Sequence, residues 1–435
     1  MTLDHTHDPA ARSWLAAANA AGGDFPIQNL PFAVLRRRGS GEAFRGAVAI
    51  GDQALDLAAL ANAKLLTGAA AEALALAAQP TLNAFMAAGP EAWRALRHAL
   101  FDLLREGAPA EAEAAVRAGL LPLDAVEYTL PARVGDYTDF YTSLDHAVNC
   151  MRIMRPDADA PANFRWLPQA YHGRVSTLGV SGQRFHRPRG QWLPPGASAP
   201  VFAPCAAMDY ECELALWIGP GNAAGQPIPI ARAQEQLFGI SLLNDWSARD
   251  IQGWEPFHAK NFATTVSPWI VTAEALAPFR LAWTRPEGDP QPLAYLDSPA
   301  NRAQGAIDIR LEVWLETEQA RQQGRGPARL SGTSFRHQYW SAAQMITHHA
   351  AGGCGLQPGD LLGSGTISGP GPGEAGALIE LARGGQQPVD VGGGEQRGFL
   401  ADGDTVILRG WCEKPGATRI GFGECRGTVL PAVDA

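Results

Sequence analysis

Residues Met208 to Gly219, MDYECELALWIG, can fold in only a few ways. Met208, Tyr210, Cys212, Leu214, Leu216 and Ile218 alternate with Asp209, Glu211 and Glu213, which is the period of a strand. The apolar set therefore faces one way and the acidic set the other. The first face demands a core. The second sets like charges two residues apart, and these repel unless water or a cation compensates them. Solvated faces usually mix Lys and Thr with their acids, and this one does not. Solvent exposure and metal binding both remain open from this segment alone.

The surrounding chain predicts a β-rich body. Among 435 residues, 46% of them hydrophobic, glycine (48) and proline (33) are both abundant, which favours many turns and a mostly β, α+β fold over a helical bundle. From about residue 132 to the end, LEVWLET, DLLGSGTISG, ALIELARGG and TVILRGWCE read as strands between Gly- and Pro-rich turns. VSGQRFHRPRGQWLPPGASAPVF reads mostly as loop. Residues 1–131 differ. AVLRRRG and GAVAIGDQALDL are strand-like, and Gly68 to Leu121 carries Ala, Leu and Glu at helical spacing, as in EAWRALRHALFDLLREG with Gly107 as a stop. This part shows no polar constellation, and its expected role is structural or in assembly.

Charge narrows the partners. The net charge is -9 with no run of Lys and Arg, which argues against nucleic acid and an anionic membrane surface but not against a small anionic substrate. MTLDHTHDPAARSW lacks the basic start and apolar run of a signal peptide, and no apolar stretch approaches bilayer length. The six cysteines are scattered without a CxxC pair, as expected of reduced thiols in a cytoplasmic protein.

Three further segments carry chemistry. Between Asp136 and Arg155 the chain reads DYTDFYTSLDHAVNCMRIMR. Tyr137, Asp139 and Tyr141 share a strand face, and Ser143 and Asp145 can start a helical turn that carries His146. Asp139 reads as a metal ligand and His146 as a general base, beside plainer readings as a solvated acid and a structural histidine. In SLLNDWSARDIQGWEPFHAK, Ser241 to Lys260, a helix over WSARDIQGW would put Asp245, Arg249 and Gln252 on one face. That arrangement fits either a cap with an Asp–Arg surface pair or a metal ligand with oxyanion donors. In Gly359 to Gly385, glycines around Thr366 let backbone approach a ligand, as a tight turn also requires, and Glu380 sits in a strand-like run. Asp139, Glu211, Glu213 and Asp245 together make an all-oxygen ligand set, which selects a hard divalent cation, Mg²⁺ or Ca²⁺, over zinc.

With YTDFY, LPQAYHGR, MDYECELALWIGPGN, NDWSARDIQGWE, TTVSPW, THHAAGGCGLQPGDLLGSGTISGP and RIGFGECRGTVLP in this order, the chain resembles the fumarylacetoacetate hydrolase family over nearly its whole length. The resemblance implies an N-terminal SH3-like small barrel domain with helices (1–131), a C-terminal mixed β-roll domain holding the site (132–435), and a homodimer. It implies that Asp139, Glu211, Glu213 and Asp245 bind the cation and that His146, oriented by Glu380, activates water. Arg249, Gln252 and Lys260 would form the oxyanion pocket. Tyr141, Arg155, Tyr171, Gln252 and Thr366 would contact a diketo dicarboxylate. Lys260 and Thr264 fall where the family places a second Mg²⁺. The expected reaction is metal-dependent hydrolysis of a carbon–carbon bond in 4-fumarylacetoacetate to fumarate and acetoacetate, the last step of tyrosine breakdown through homogentisate. Its rivals are an acylpyruvate hydrolase or keto-acid hydratase or decarboxylase on the same scaffold, and a non-catalytic metal-binding protein. One departure stands out: EPFHAK, between Trp254 and Lys260, is shorter than in the animal enzymes and lacks a substrate-contacting tyrosine.

Overall fold

The computed structural model describes residues 2–434. In the N-terminal part five antiparallel strands pair in the order Leu120–Pro122, Gln53–Asp56, Arg45–Ile50, Phe32–Arg37, Val126–Thr129, the strand count of an SH3-like unit. Helix α1, Pro90–Leu104, follows Gly89, whose φ of +83° suits glycine alone, and begins with a proline whose fixed φ fits the first turn. It buries Trp93, Leu96, Leu100, Phe101 and Leu104. That face also meets the rest of the chain, since the Trp93 and Phe238 rings lie 5.2 Å apart. Phe32 and Ile270 exchange backbone hydrogen bonds of 3.0 and 2.8 Å, so the small sheet is joined to the larger body by backbone as well as by core.

The larger body is built on an eight-stranded mixed sheet. Its elements in chain order are β1 (Tyr137–Tyr141), helix α2 (Leu144–Met154), β2 (Gln169–His172), β3 (Leu178–Val180), β4 (Cys212–Ile218), β5 (Leu237–Asp245), β6 (Thr264–Val266) and β7 (Leu361–Gly363). The strands run side by side as β2–β1–β7–β4–β5–β6–β3, with Val271–Thr272 pairing on β5. Both faces of β4 and β5 are buried. On one side Leu214, Leu216 and Leu242 pack against a five-stranded sheet that includes Arg310–Glu316, Thr405–Cys412 and Ile420–Leu430; on the other, Ala215 and Trp217 join the core under α1.

Several local expectations are corrected. The Met208–Gly219 strand breaks into Met208–Asp209 and β4, and its acidic face is covered rather than solvated. The supposed loop after Val180 holds Gln183–His186 and a hairpin of Arg189–Trp192 with Val201–Pro204. All three strands are four residues long, and the first two are rich in Arg, Gln and His, so no period shows. WSARDIQGW contributes only one helical turn, Arg249–Gln252, and Asp245 closes β5 instead of capping a helix. In DLLGSGTISG only Leu361–Gly363 is strand, and Glu380 lies on a helical turn, α3 (Leu378–Leu381), not on a strand.

Candidate active site

Strand register assembles the site at one end of the mixed sheet. Asp139 faces Tyr171 on β2 and Gly363 on β7. Asp245 faces Thr264 on β6, and its backbone N–H donates to Glu211 O at 3.3 Å. Carboxylates separated by more than a hundred residues therefore converge: one oxygen each from Asp139, Glu211, Glu213 and Asp245 lie within 4.8 Å of one another, all buried. Gly363 and Gly365 make this possible. A Cβ on Gly363 would stand 2.8 Å from Asp139 Oδ1, while Gly365, at φ +74°, has room for none beside Phe140 and donates its N–H to Glu213 Oε2 at 3.0 Å.

Two cations serve this cluster. Lys260 Nζ donates to Glu211 Oε2 and, at 2.7 Å, to Asp245 Oδ2. Arg249 spans Asp209 (Nε to Oδ2, 2.9 Å) and Glu211 (Nη1 to Oε1, 2.8 Å), while Gln252, exposed, accepts from Nη1 at 3.1 Å. Thr264 Oγ1 donates to Asp245 Oδ1 at 2.9 Å and Tyr171 OH to Oδ2 at 3.3 Å. Negative charge remains in excess. Burial, then Asp245, pushes Asp139 up to about 8. Burial, then Asp139, raises Glu213 well above the carboxylate range, and burial raises Asp245 despite Lys260. Burial works against Glu211 too, but Lys260 and Arg249 outweigh it and hold that group low. Asp139 Oδ1 and Glu213 Oε1 are buried with no hydrogen-bond partner among the described residues. Buried acceptors are almost always satisfied, so two bare carboxylate oxygens in a cation-deficient, all-oxygen pocket fit a hard divalent cation.

Beside the cluster is a histidine held from behind. Ser143 caps α2 and accepts from His146 N at 3.2 Å, which aims the helix into the body. His146 Nδ1 meets Glu380 Oε1 at 2.7 Å; Ser368 Oγ (2.9 Å) and Asn149 Nδ2 (2.9 Å) fix the carboxylate, and Tyr141 packs edge-on to the imidazole at 5.5 Å. Burial lowers the basicity of His146, but the Cys150 sulfur, 3.6 Å from Nε2, and Glu380 outweigh it, and the imidazole is raised well above its usual range. Glu380 moves the other way: burial raises it, and His146 pulls it below. Burial keeps the Tyr141 phenol protonated, with a pKa of about 12.

The structure thus brings together His146, Glu380, Tyr141, Asp139, Glu211, Glu213, Asp245, Tyr171, Arg249, Gln252, Lys260 and Thr264. Thr366 is buried one residue beyond Gly365. Arg155, exposed at the C-terminal end of α2, makes no side-chain hydrogen bond to any of these among the described residues. Asp209, Asn149 and Ser368 were missed. Asp209 caps α3, accepting from Leu378 N (2.9 Å) and Ile379 N (3.1 Å) while holding Arg249, so it fixes the turn that carries Glu380. Asn149 could have been found, because it lies one helical turn after His146. Nothing local marks Ser368.

Residues 137–430 match the family model described as fumarylacetoacetate (FAA) hydrolase C-terminal, and residues 28–131 the one described as fumarylacetoacetase N-terminal. The fumarylacetoacetase of Oryza sativa subsp. japonica is 45% identical over 425 residues, covering 95% of this chain and 96% of that protein. The Homo sapiens fumarylacetoacetase is 45% identical over 425 residues, covering 95% and 98%. The solved fumarylacetoacetate hydrolase of psychrophilic Exiguobacterium antarcticum superposes with a TM-score of 0.51 at 17% identity, covering 92% of this chain and 99% of that one, which establishes a shared fold.

Proposed function

The chain belongs to the fumarylacetoacetate hydrolase family and is a hydrolase of fumarylacetoacetate; from that premise we propose how its own residues carry out the reaction. The carrying observation is the pair of bare carboxylate oxygens beside a histidine held by Glu380. Asp139, Glu211, Glu213 and Asp245 would hold the cation, Mg²⁺ or Ca²⁺. When bound, that ion supplies Lewis-acid stabilisation to the diketone oxygens and to the enolate that leaves.

His146 takes a proton from water at Nε2 as the oxygen adds to the fumaryl carbonyl carbon. Glu380 keeps the remaining proton on Nδ1 and stabilises the imidazolium. Arg249 has a buried Nη2 without a partner among the described residues, which makes it the readiest donor to the tetrahedral oxyanion, joined by Lys260 and Gln252. Removing one such donor typically costs roughly 10²–10³ in rate. As the carbon–carbon bond breaks, the imidazolium returns its proton to the leaving carbon, so water ends as the carboxylate oxygen of fumarate and the added hydrogen of acetoacetate, and its second proton leaves to solvent as the new carboxyl ionises. Tyr141, Tyr171 and Thr366 would line the substrate, and Arg155 would hold its fumarate carboxylate. Because the Lys260 ammonium has no free lone pair, a second ion near Lys260 and Thr264 would have to use main-chain carbonyls and the Thr264 hydroxyl.

We further propose that residues 1–131 act as a structural unit and that the protein works as a cytoplasmic homodimer on a free small molecule. The free cysteines and the exposed Phe202 and Phe257 support this reading, and no helix among the described residues is long and apolar enough to cross a membrane. The test is loss of fumarylacetoacetate absorbance with purified protein, with and without chelator and with Mg²⁺ or Ca²⁺ restored. Metal-dependent release of fumarate and acetoacetate is expected. Chelator-resistant turnover would overturn the role given to the carboxylates.

A further inference from the structure

The N-terminal turn and α1 bring together a second set of ligating groups, outside the carboxylate pocket and unused by the reaction. We propose that Asp4, His5 and His98, with Asp102 as an outer donor, bind a borderline divalent transition ion of the Zn²⁺ class. One oxygen of Asp4 and one nitrogen of each imidazole lie within 4.8 Å of one another, and Asp102 Oδ1 stands 4.0 Å from His5 Nε2.

The fold sets this spacing. His98 and Asp102 lie one turn apart on α1 and project from the same face. His5 begins the 3₁₀ turn His5–His7, which Asp4 caps by accepting from Thr6 N at 2.9 Å. Arg97, the neighbour of His98, fastens turn to helix, donating to Thr6 Oγ1 (3.0 Å), Asn29 O (2.9 Å) and Gln28 O (2.6 Å). The His5 ring lies edge-on to His98 at 4.7 Å and to Phe101 at 5.4 Å, which limits its rotation. Asp4 Oδ2 and His98 Nε2 are 2.9 Å apart. Two ligands of one tetrahedral zinc stand about 3.3 Å apart, so this pair is close to ligand spacing and the exposed His5 needs only a small rotation. On binding, the proton now shared by His98 and Asp4 leaves Nε2, for Nδ1 or for solvent.

The plainer alternative is an Asp–His hydrogen bond that pins the turn without any metal. It accounts for Asp4 and His98 but not for His5 stacked against them with Asp102 alongside. Asp102 also pairs with Arg105 at 3.1 Å, which makes it the most replaceable of the four. Donor chemistry separates this site from the catalytic one: two imidazoles with carboxylate favour Zn²⁺, Ni²⁺ or Cu²⁺, whereas four carboxylates favour Mg²⁺ or Ca²⁺.

The experiment titrates Zn²⁺ by calorimetry into the metal-stripped full-length protein held in excess Mg²⁺, which keeps the carboxylate pocket filled. One Zn²⁺ per chain is expected, with affinity at least tenfold weaker in His98→Ala and, separately, in His5→Ala. Mg²⁺-supported turnover of both variants should match the parent. His5→Ala breaks no side-chain hydrogen bond among the described residues, so it decides the matter even if His98→Ala folds poorly. Equal zinc stoichiometry and affinity in parent and His5→Ala would overturn the proposal, as would weakening by His98→Ala alone, the behaviour of an adventitious histidine.

Discussion

Arg97 on α1 and the carboxylate pocket both bury charge, with opposite accounting. Arg97 is buried, and its three hydrogen bonds go to Thr6, Asn29 and Gln28; burial lowers it only to about 10, so it stays a cation with every contact made. In the pocket, Asp139 and Glu213 are equally buried, yet each keeps an oxygen with no donor, and the acids outnumber Arg249 and Lys260. A satisfied buried charge fixes a fold. An unsatisfied one, held by strands that cannot relax, is strain kept for a ligand.

The largest expected effect falls on the pocket side. His146→Ala should lower kcat by about 10²–10⁴ while leaving Mg²⁺ affinity and thermal stability near the parent, measured by steady-state kinetics, calorimetry and melting. A kcat within a few-fold of the parent would remove His146 as the base. Glu380→Gln should cost less and should also move a pH profile. Activity needs neutral His146, so kcat/KM rises with pH through the imidazole's raised range. Without the Glu380 charge that limb should shift to lower pH. A limb that stays put while kcat falls would leave Glu380 a packing role only.

A pair of substitutions then turns the comparison into a mirror test. Glu213→Gln removes a buried carboxyl whose Oε1 has no partner among the described residues and whose ionisation burial and Asp139 oppose: cation affinity should fall by at least ~10-fold, whereas the metal-free protein should melt at the same temperature or higher. Arg97→Met removes a charge whose contacts are complete: stability should fall by about 2–4 kcal/mol, from three acceptors left bare, with kcat of the folded protein retained. Denaturant melts and metal titrations of both variants decide it. If Glu213→Gln destabilises the metal-free protein as much as Arg97→Met does, the pocket is an ordinary satisfied network.

The sequence carried the ligands well and the supporting groups poorly. Asp139 and Glu213 lie on β1 and β4, Glu211 keeps the alternation of Glu213 one residue before β4, and Asp245 ends an apolar run, so local period exposes them. Asp209 shares that period with Glu211 but serves a different purpose, because the chain breaks between β4 and the Met208–Asp209 strand and turns it toward Arg249 and α3. ALIELARGG has strand composition, yet a helical turn carries Glu380 because Asp209, 169 residues before Leu378, supplies the cap. Such a cap is a tertiary contact, and no local pattern encodes it. His98 meets His5 for the same reason, through the docking of α1 on the N-terminal turn.

The smallest effect is a pH slope in the metal-free protein. Asp139 titrates near 8 in the folded state against 3.8 when free, so between these values the native chain holds a proton that the unfolded chain has lost. Stability contributed this way is complete below about pH 4 and is lost as pH rises toward 8. Glu213 and Asp245, also raised, act in the same direction. Glu211 and Glu380 are lowered and act oppositely, but their gain is complete once pH exceeds the ordinary carboxylate range, which leaves the interval from pH 5 to 8 to the raised group. His146, raised as well, adds to the loss above its ordinary 6.5. The metal-free protein should therefore lose a few degrees of Tm from pH 5 to 8. Saturating Mg²⁺ should flatten the carboxylate share of that slope, because an ion that needs ionised ligands replaces their protons. Parallel slopes with and without the ion would mean that the bare oxygens of Asp139 and Glu213 are not where it binds.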